Sequence, residues 1–150
     1  MNTKHKAKDR IIKAAFELMH MHGIKGTSLD KILEKSKTGK SQFAHYFKNK
    51  EGLIQSVIDY IEEVIRSEKA DSNYAIKTWQ DFESWFPRFI KFQENVACTL
   101  SCPLGTIGND LSEEQQQLRR SVVAFFEWSS SQLARFFAER KAAGELADSA

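Results

Sequence analysis

Between Thr27 and Phe47 the chain sets two short apolar-patterned stretches either side of a four-residue polar break, Ser36-Lys37-Thr38-Gly39. That spacing leaves little freedom in how the two can pack. In the first stretch Leu29, Ile32 and Leu33 recur at helical spacing behind Thr27-Ser28, where a hydroxyl can cap free backbone amides and Asp30 adds favourable charge in the first turn. The second runs from about Lys40 to Tyr46, with Phe43 and Phe47 at i,i+4 as its anchors. Upstream, a helix from about Lys8 to His22 carries Ile11, Ile12, Ala15, Phe16, Leu18 and Met19 on one broad apolar face, and Gly23 is its expected stop. Two short helices joined by a tight polar turn read as a helix-turn-helix.

The rest of the chain also reads as helix. Only two prolines and seven glycines interrupt 150 residues, and strand-like alternation is absent, so the expected fold is all-α. A three-helix helix-turn-helix unit is expected over residues 1–50, followed by a second helical unit over 51–150. In the second unit a long helix from about Lys50 to Ala70 carries Leu53, Ile54, Val57, Ile58, Ile61 and Ile65, and a polar break follows at Asp71-Ser72-Asn73. The segment from about Lys77 to Val96 holds Trp79, Phe82, Trp85, Phe86, Phe89 and Phe92, with Pro87 either bending or dividing it. Cys102-Pro103-Leu104-Gly105 and Gly108-Asn109-Asp110 read as a break before a last helix, about Ser112 to Ala143, that Gly144 ends.

Charge is distributed unevenly along this pattern. Residues 1–50 hold twelve basic and four acidic groups, a net +8, while the remaining hundred hold ten and sixteen, a net −6. Such asymmetry marks one end that meets nucleic acid and one solvated end. A basic surface that is merely solvated gives the same count. No apolar run is long enough to span a bilayer, and the basic N-terminus lacks the apolar stretch of a secretory signal, so a cytoplasmic protein is expected. Cys98 and Cys102 have no further Cys to complete a metal set, and none of the four His residues has metal-like company. Plain reduced thiols or a redox pair both fit them. With no nucleophile and base pair, phosphate-cradling loop or metal cluster, neither an enzyme nor a cofactor is expected.

Each candidate DNA contact has a chemical reason. Lys40 and Gln42 open the recognition helix, where Lys can donate to guanine acceptors and Gln can pair with adenine. Ser41 is small enough for close approach, and Ala44 offers apolar contact to a thymine methyl. His45, Tyr46 and Lys50 suit phosphates, as do Thr27 and Ser28 at another helix start, with Thr38 in the turn between. Lys4, Lys6, Lys8 and Arg10 can follow the backbone, enter the minor groove or form a flexible tail. Farther on, Trp79, Phe82, Trp85, Phe86, Phe89, Phe125 and Trp128 can line a pocket for a flat or lipophilic small-molecule effector, or form a plain aromatic core.

Residues 9–58 resemble the DNA-binding domain of TetR-family transcriptional repressors. The resemblance rests on Ala14-Ala15, Phe16 to Met19, Gly23, Thr27 to Ile32, and the closing Tyr46-Phe47-Lys48-Asn49-Lys50-Glu51-Gly52-Leu53. Three positions depart from the family. Lys37 stands where a small residue or Gly is usual, so a positive φ is expected of it. Ala44 replaces a frequent Tyr, and Gly39 replaces a Ser that would cap the recognition helix. The Cys102-Pro103-Leu104-Gly105 turn is similar to that of the LmrA/YxaF-like group, many of whose members respond to small molecules. The resemblance implies a ligand-responsive repressor acting as a homodimer on double-stranded operator DNA; an activator and a helical protein-interaction module are the alternatives. Family members normally continue with two more helices that supply much of the dimer interface. Either this chain is shortened, or its pairing is expected to use the helix from Ser112 to Ala143 and its neighbours.

Overall fold

A computed structural model describes residues 3–67, 74–95 and 99–146, with the side chains of residues 3–5 and 92 outside that description. Among the described residues there are seven helices and no strand: α1 (Thr3–His22), α2 (Leu29–Ser36), α3 (Lys40–Tyr46), α4 (Lys50–Arg66), α5 (Trp79–Asn95), α6 (Pro103–Asp110) and α7 (Gln116–Ala142). The all-α expectation holds. The Asp71-Ser72-Asn73 break and Cys98 lie outside the described residues, whereas the helix expected to reach Ala70 ends at Arg66, with Ser67 as its C-cap.

Helices α1 to α4 form around aliphatic side chains that lose all contact with water. Ile11, Ala15, Met19, Ile32, Leu53, Val57 and Ile58 are fully buried, and Phe43 and Phe47 seat α3 against them with ring centroids 5.5 Å apart. The same core continues without a break into α6 and α7 through Leu104, Ile107, Leu111, Leu118, Val122 and Phe125.

Helix α7 begins at Gln116, about a turn after the Ser112 expected, because Ser112 to Gln115 form a turn instead; two further elements differ from the sequence reading. Helix α1 begins at Thr3, about a turn before Lys8, because nothing between Thr3 and Lys8 breaks a helix and Ala7 is buried beneath it. A flexible tail is therefore replaced by helix over that stretch. The second difference is α6, where a break had been expected. Pro103 occupies its first turn, where a missing N–H costs nothing and the fixed φ suits a helix. Gly108 is there for proximity: a Cβ on it would lie 3.2 Å from Val122 Cγ1, so α6 and α7 pack close together.

Helix α5 is continuous through Pro87. Its start is fixed by a reciprocal cap in which Asp81 N–H donates to Thr78 Oγ1, while Asp81 Oδ2 accepts from the N–H groups of Thr78 (2.9 Å) and Lys77 (3.1 Å). It meets α7 through rings: Trp79 and Phe82 stand 5.2 and 5.6 Å from Phe136.

Candidate functional site

The turn between α2 and α3 has the shape its sequence demands. Lys37 caps α2 in the left-handed region (φ 52, ψ 49), and its N–H donates to the Glu34 carbonyl at 3.1 Å. Thr38 N–H returns to Leu33 O at 3.0 Å, and Thr38 Oγ1 lies 2.6 Å from the buried Ser36 hydroxyl. Thr38 is thus half-buried and committed inside the turn. Gly39 gives α3 no side-chain cap, as expected of that replacement; instead its N–H donates to Gln42 Oε1 at 3.2 Å. Gln42 therefore holds the start of its own helix in the DNA-free protein, and a base edge must compete with that bond.

Lys40, Ser41, Gln42, Ala44 and His45 form one exposed surface of α3, with Tyr46 half-buried behind them. Lys40 Nζ pairs loosely with Asp30 at 3.5 Å, but both side chains are about four-fifths exposed, so the pair is weak and easily given up. Ser28 is the N-cap of α2, accepting from Lys31 N–H at 3.3 Å, and it remains exposed. Lys6, Lys8 and Arg10 are exposed on α1, and Arg10 Nε donates to the Ser36 carbonyl at 3.0 Å; the Lys4 side chain lies outside the described residues.

Two of the sequence-derived contacts sit elsewhere than their chemistry suggested. Thr27 is 1% exposed and its hydroxyl donates inward to Gly23 O at 2.7 Å, so that hydroxyl is unavailable to DNA; it ties the α1–α2 turn. Lys50 reaches into the same turn, donating to Thr27 O at 2.8 Å and Ile24 O at 3.0 Å. Two of its three N–H groups are thus occupied in the DNA-free protein, leaving one for a phosphate. Neither arrangement can be read from a linear pattern, because both partners are carbonyls more than twenty residues away or one turn back.

A cavity of about 310 Å³ lies where α1 and α4 meet α5, α6 and α7. Phe16, Tyr60, Ile61, Val64, Ile65, Tyr74, Trp85, Phe89, Gln93, Cys102, Pro103, Phe125 and Phe126 line it, with no charged side chain among them. Of the expected aromatic set, Trp85, Phe89 and Phe125 are in the wall. Trp79 and Phe82 instead pack on Phe136 and Phe137, Phe86 is 48% exposed, and Trp128 lies in a separate small hollow under the Arg66 guanidinium, 3.9 Å from its ring centre. The reason is helical phase: α5 turns Trp79 and Phe82 toward the far end of α7, and only the turn bearing Trp85 and Phe89 faces α4.

Phe16, Tyr60, Tyr74, Gln93, Pro103 and Phe126 had not been singled out. One signal was present in α4, whose apolar positions widen from a single stripe to Tyr60, Ile61, Val64 and Ile65 near its end, more surface than the three-helix core needs. Burial pushes the Tyr74 hydroxyl above its ordinary pKa, an effect partly opposed by the Ser129 side chain, so it stays a neutral donor. A larger hollow of about 480 Å³ between α1 and α4 is lined by Lys8, Lys13, Asp9, Asp59 and Glu63 and has a polar, not a lipophilic, character.

Both ends of α6 are fastened to the reader. At its start His20 Nε2 donates to Ser101 O at 2.7 Å, since a carbonyl can only accept. At its end Asp110 Oδ2 accepts from Lys25 N–H at 3.3 Å and sits so near Gly23 (φ +70) that a Cβ there would be 2.3 Å away.

Comparison with known proteins agrees with this geometry. Residues 11–57 match the bacterial regulatory proteins of the tetR family. The chain thus carries a tetR-family helix-turn-helix domain over those residues. It is 27% identical over 133 residues to the HTH-type transcriptional regulator LmrA of Bacillus subtilis (strain 168), a match that spans 83% of this chain and 68% of that protein. A second relative is an uncharacterized HTH-type transcriptional regulator in the lacX 3′ region of Lactococcus lactis subsp. lactis. It is 40% identical over 52 residues, 35% of this chain and 26% of its own length. The crystal structure of regulatory protein TetR from Rhodobacter sphaeroides superposes with a TM-score of 0.75 over 96% of this chain and 77% of its own, at 20% identity, and shows the shared fold. A tetR-family helix-turn-helix is a DNA-binding unit, and this one spans residues 11–57. No described helix is long and apolar enough to cross a membrane.

Proposed function

We propose that this protein is a TetR-family, ligand-responsive repressor that binds a pseudo-palindromic operator as a homodimer in the cytoplasm. Residues 1–50 carry the DNA-binding unit, and the following hundred residues carry effector binding and pairing. Two copies place their α3 helices in successive major grooves, with half-sites about one helical turn apart or somewhat more. Lys40, Ser41, Gln42 and Ala44 meet base edges, while Ser28, His45 and Tyr46 meet phosphates.

The observation that carries the ligand response is the composition of the 310 Å³ cavity wall. Phe16 and Tyr60 in that wall belong to the helices that hold the reader, and their rings stand 5.7 Å apart. An effector that fits better when those rings separate favours a mis-spaced pair of readers, and DNA is released through differential affinity. The absence of charge in the wall, together with the hydroxyls of Tyr60 and Tyr74 and the amide of Gln93, favours a neutral aromatic compound bearing a hydrogen-bonding group.

Fluorescence anisotropy with the DNA upstream of its own gene and a scrambled control, at two salt concentrations, tests the reading. Tight sequence-dependent binding is expected, with release by at least one member of a panel of neutral aromatics and loss of that release in Phe89→Ala. Equal binding to both duplexes would overturn operator recognition, and a protein-interaction role would take its place. Sedimentation at the same concentrations is expected to show a dimer.

A further inference from the structure

The reader holds most of the cations around its turn in internal contacts. Lys35 pairs with Glu17 at 2.9 Å, Lys40 with Asp30 at 3.5 Å, Lys50 grips two carbonyls, and Arg10 grips a third. Lys37 is different. Among the described residues it is the one non-glycine with positive φ, and its exposed ammonium makes no hydrogen bond or ion pair there. Glycine takes the left-handed region at no steric cost, whereas any side chain strains it, so a lysine at this position works against the stability of the turn. It also works against local electrostatics, since Lys37 precedes, and Lys40 opens, a first turn of α3 that contains no acidic residue. An anion beside the ammonium relieves the second penalty, while the first is relieved only by glycine. The left-handed backbone holds Lys37 three residues ahead of the helix whose exposed face bears Lys40, Ser41 and Gln42.

From these observations we propose that Lys37 is a further DNA contact, its ammonium meeting a backbone phosphate at the edge of the groove that α3 enters. The inference rests on DNA binding by the helix-turn-helix. It assigns Lys37 to sequence-independent affinity, leaving base choice to α3.

The test measures binding of the intact protein to a fluorescein-labelled mixed-sequence duplex over a KCl series, for the wild type and for Lys37→Gly, Lys37→Arg and Lys35→Gln. Lys37→Gly is expected to bind several-fold more weakly at low salt, with a slope of log affinity against log salt shallower by about 0.9. The same variant should melt about 2 °C higher, because the strained position is relieved; this separates lost contact from lost folding. Lys37→Arg restores the slope. Lys35→Gln removes an equal charge two residues away and leaves the slope close to that of the wild type. An unchanged slope in Lys37→Gly, or equal losses in Lys37→Gly and Lys35→Gln, overturns the assignment. Failure of the wild type to bind any duplex would instead overturn the reading on which it rests.

Discussion

The reader and the distal half use apolar side chains in opposite ways. Around α1 to α4 the core is aliphatic, with Ile11, Met19, Ile32, Leu53 and Ile58 closed off from water. Between α5 and α7 the contacts are mostly edge-on rings at 5 to 6.5 Å, and Phe86, Phe89, Ile90, Val123 and Phe126 remain open to solvent. Branched aliphatics interlock into one arrangement, which suits a unit that must present α3 at a fixed angle. Tilted rings leave gaps between them and can slide at little cost, which suits walls that must yield. The cavity lies at the seam between these two kinds of packing.

The sharpest way to break this contrast is a pair of truncations. Ile58→Ala should cost about 2–5 kcal/mol in urea unfolding, while Phe86→Ala, already half exposed, should cost less than about 1. Equal costs would mean that the halves are packed alike. Next in size is Lys50→Ala, which strips two hydrogen bonds from the carbonyls of Ile24 and Thr27. A loss of about 2 kcal/mol is expected, visible in the melting curve before any DNA is added. An effect on DNA affinity with no effect on melting would return Lys50 to a phosphate role. Smaller still is Gly39→Ser: nothing lies within 4 Å of the added Cβ, and the hydroxyl supplies the missing cap of α3. It should stabilise the protein by a few tenths of a kcal/mol, about the difference between Gly and Ser caps.

The smallest effect is local and depends on pH. The Thr78 side chain, followed by the backbone N–H groups of Lys77 and Thr78, holds the Asp81 carboxyl below its ordinary value. A depressed carboxylate stabilises the folded form above its unfolded pKa, and that contribution fades as pH falls through the lower folded value. Amide exchange at the start of α5 should therefore accelerate in acid before exchange in α4 does. In Asp81→Asn the difference between the two helices should lose its pH dependence.

What was legible in the sequence follows the same divide. The bounds of α3, Lys40 to Tyr46, were readable from local spacing, and the positive φ of Lys37 from the family resemblance, which puts a small residue or Gly at that turn. Helix α6 was hidden, since its residues Cys-Pro-Leu-Gly favour a break and its stability comes from burying Leu104 and Ile107 against helices far away in sequence. The cavity was half legible for a related reason. The sequence shows that rings are abundant near Trp79 to Phe89, but the phase of α5 against α4 and α7 decides which of them meet. The inward turn of Thr27 and the grip of Lys50 depend on backbone carbonyls, which every residue carries and which therefore leave no mark in a sequence.

The two fastenings of α6 have a mechanical consequence. His20 pins Ser101, two residues before it, and Lys25 pins its last residue, so an eight-residue helix about 12 Å long lies between the anchors. A rod held at both ends cannot slide along α1 without breaking one anchor, and with Leu104 and Ile107 fully buried it cannot roll without opening the core. Cys102 and Pro103 sit at one end of this rod, in the cavity wall, and Asp110 at the other, against the turn that carries Thr27 and receives Lys50. A displacement at the first end must therefore be shared by the second.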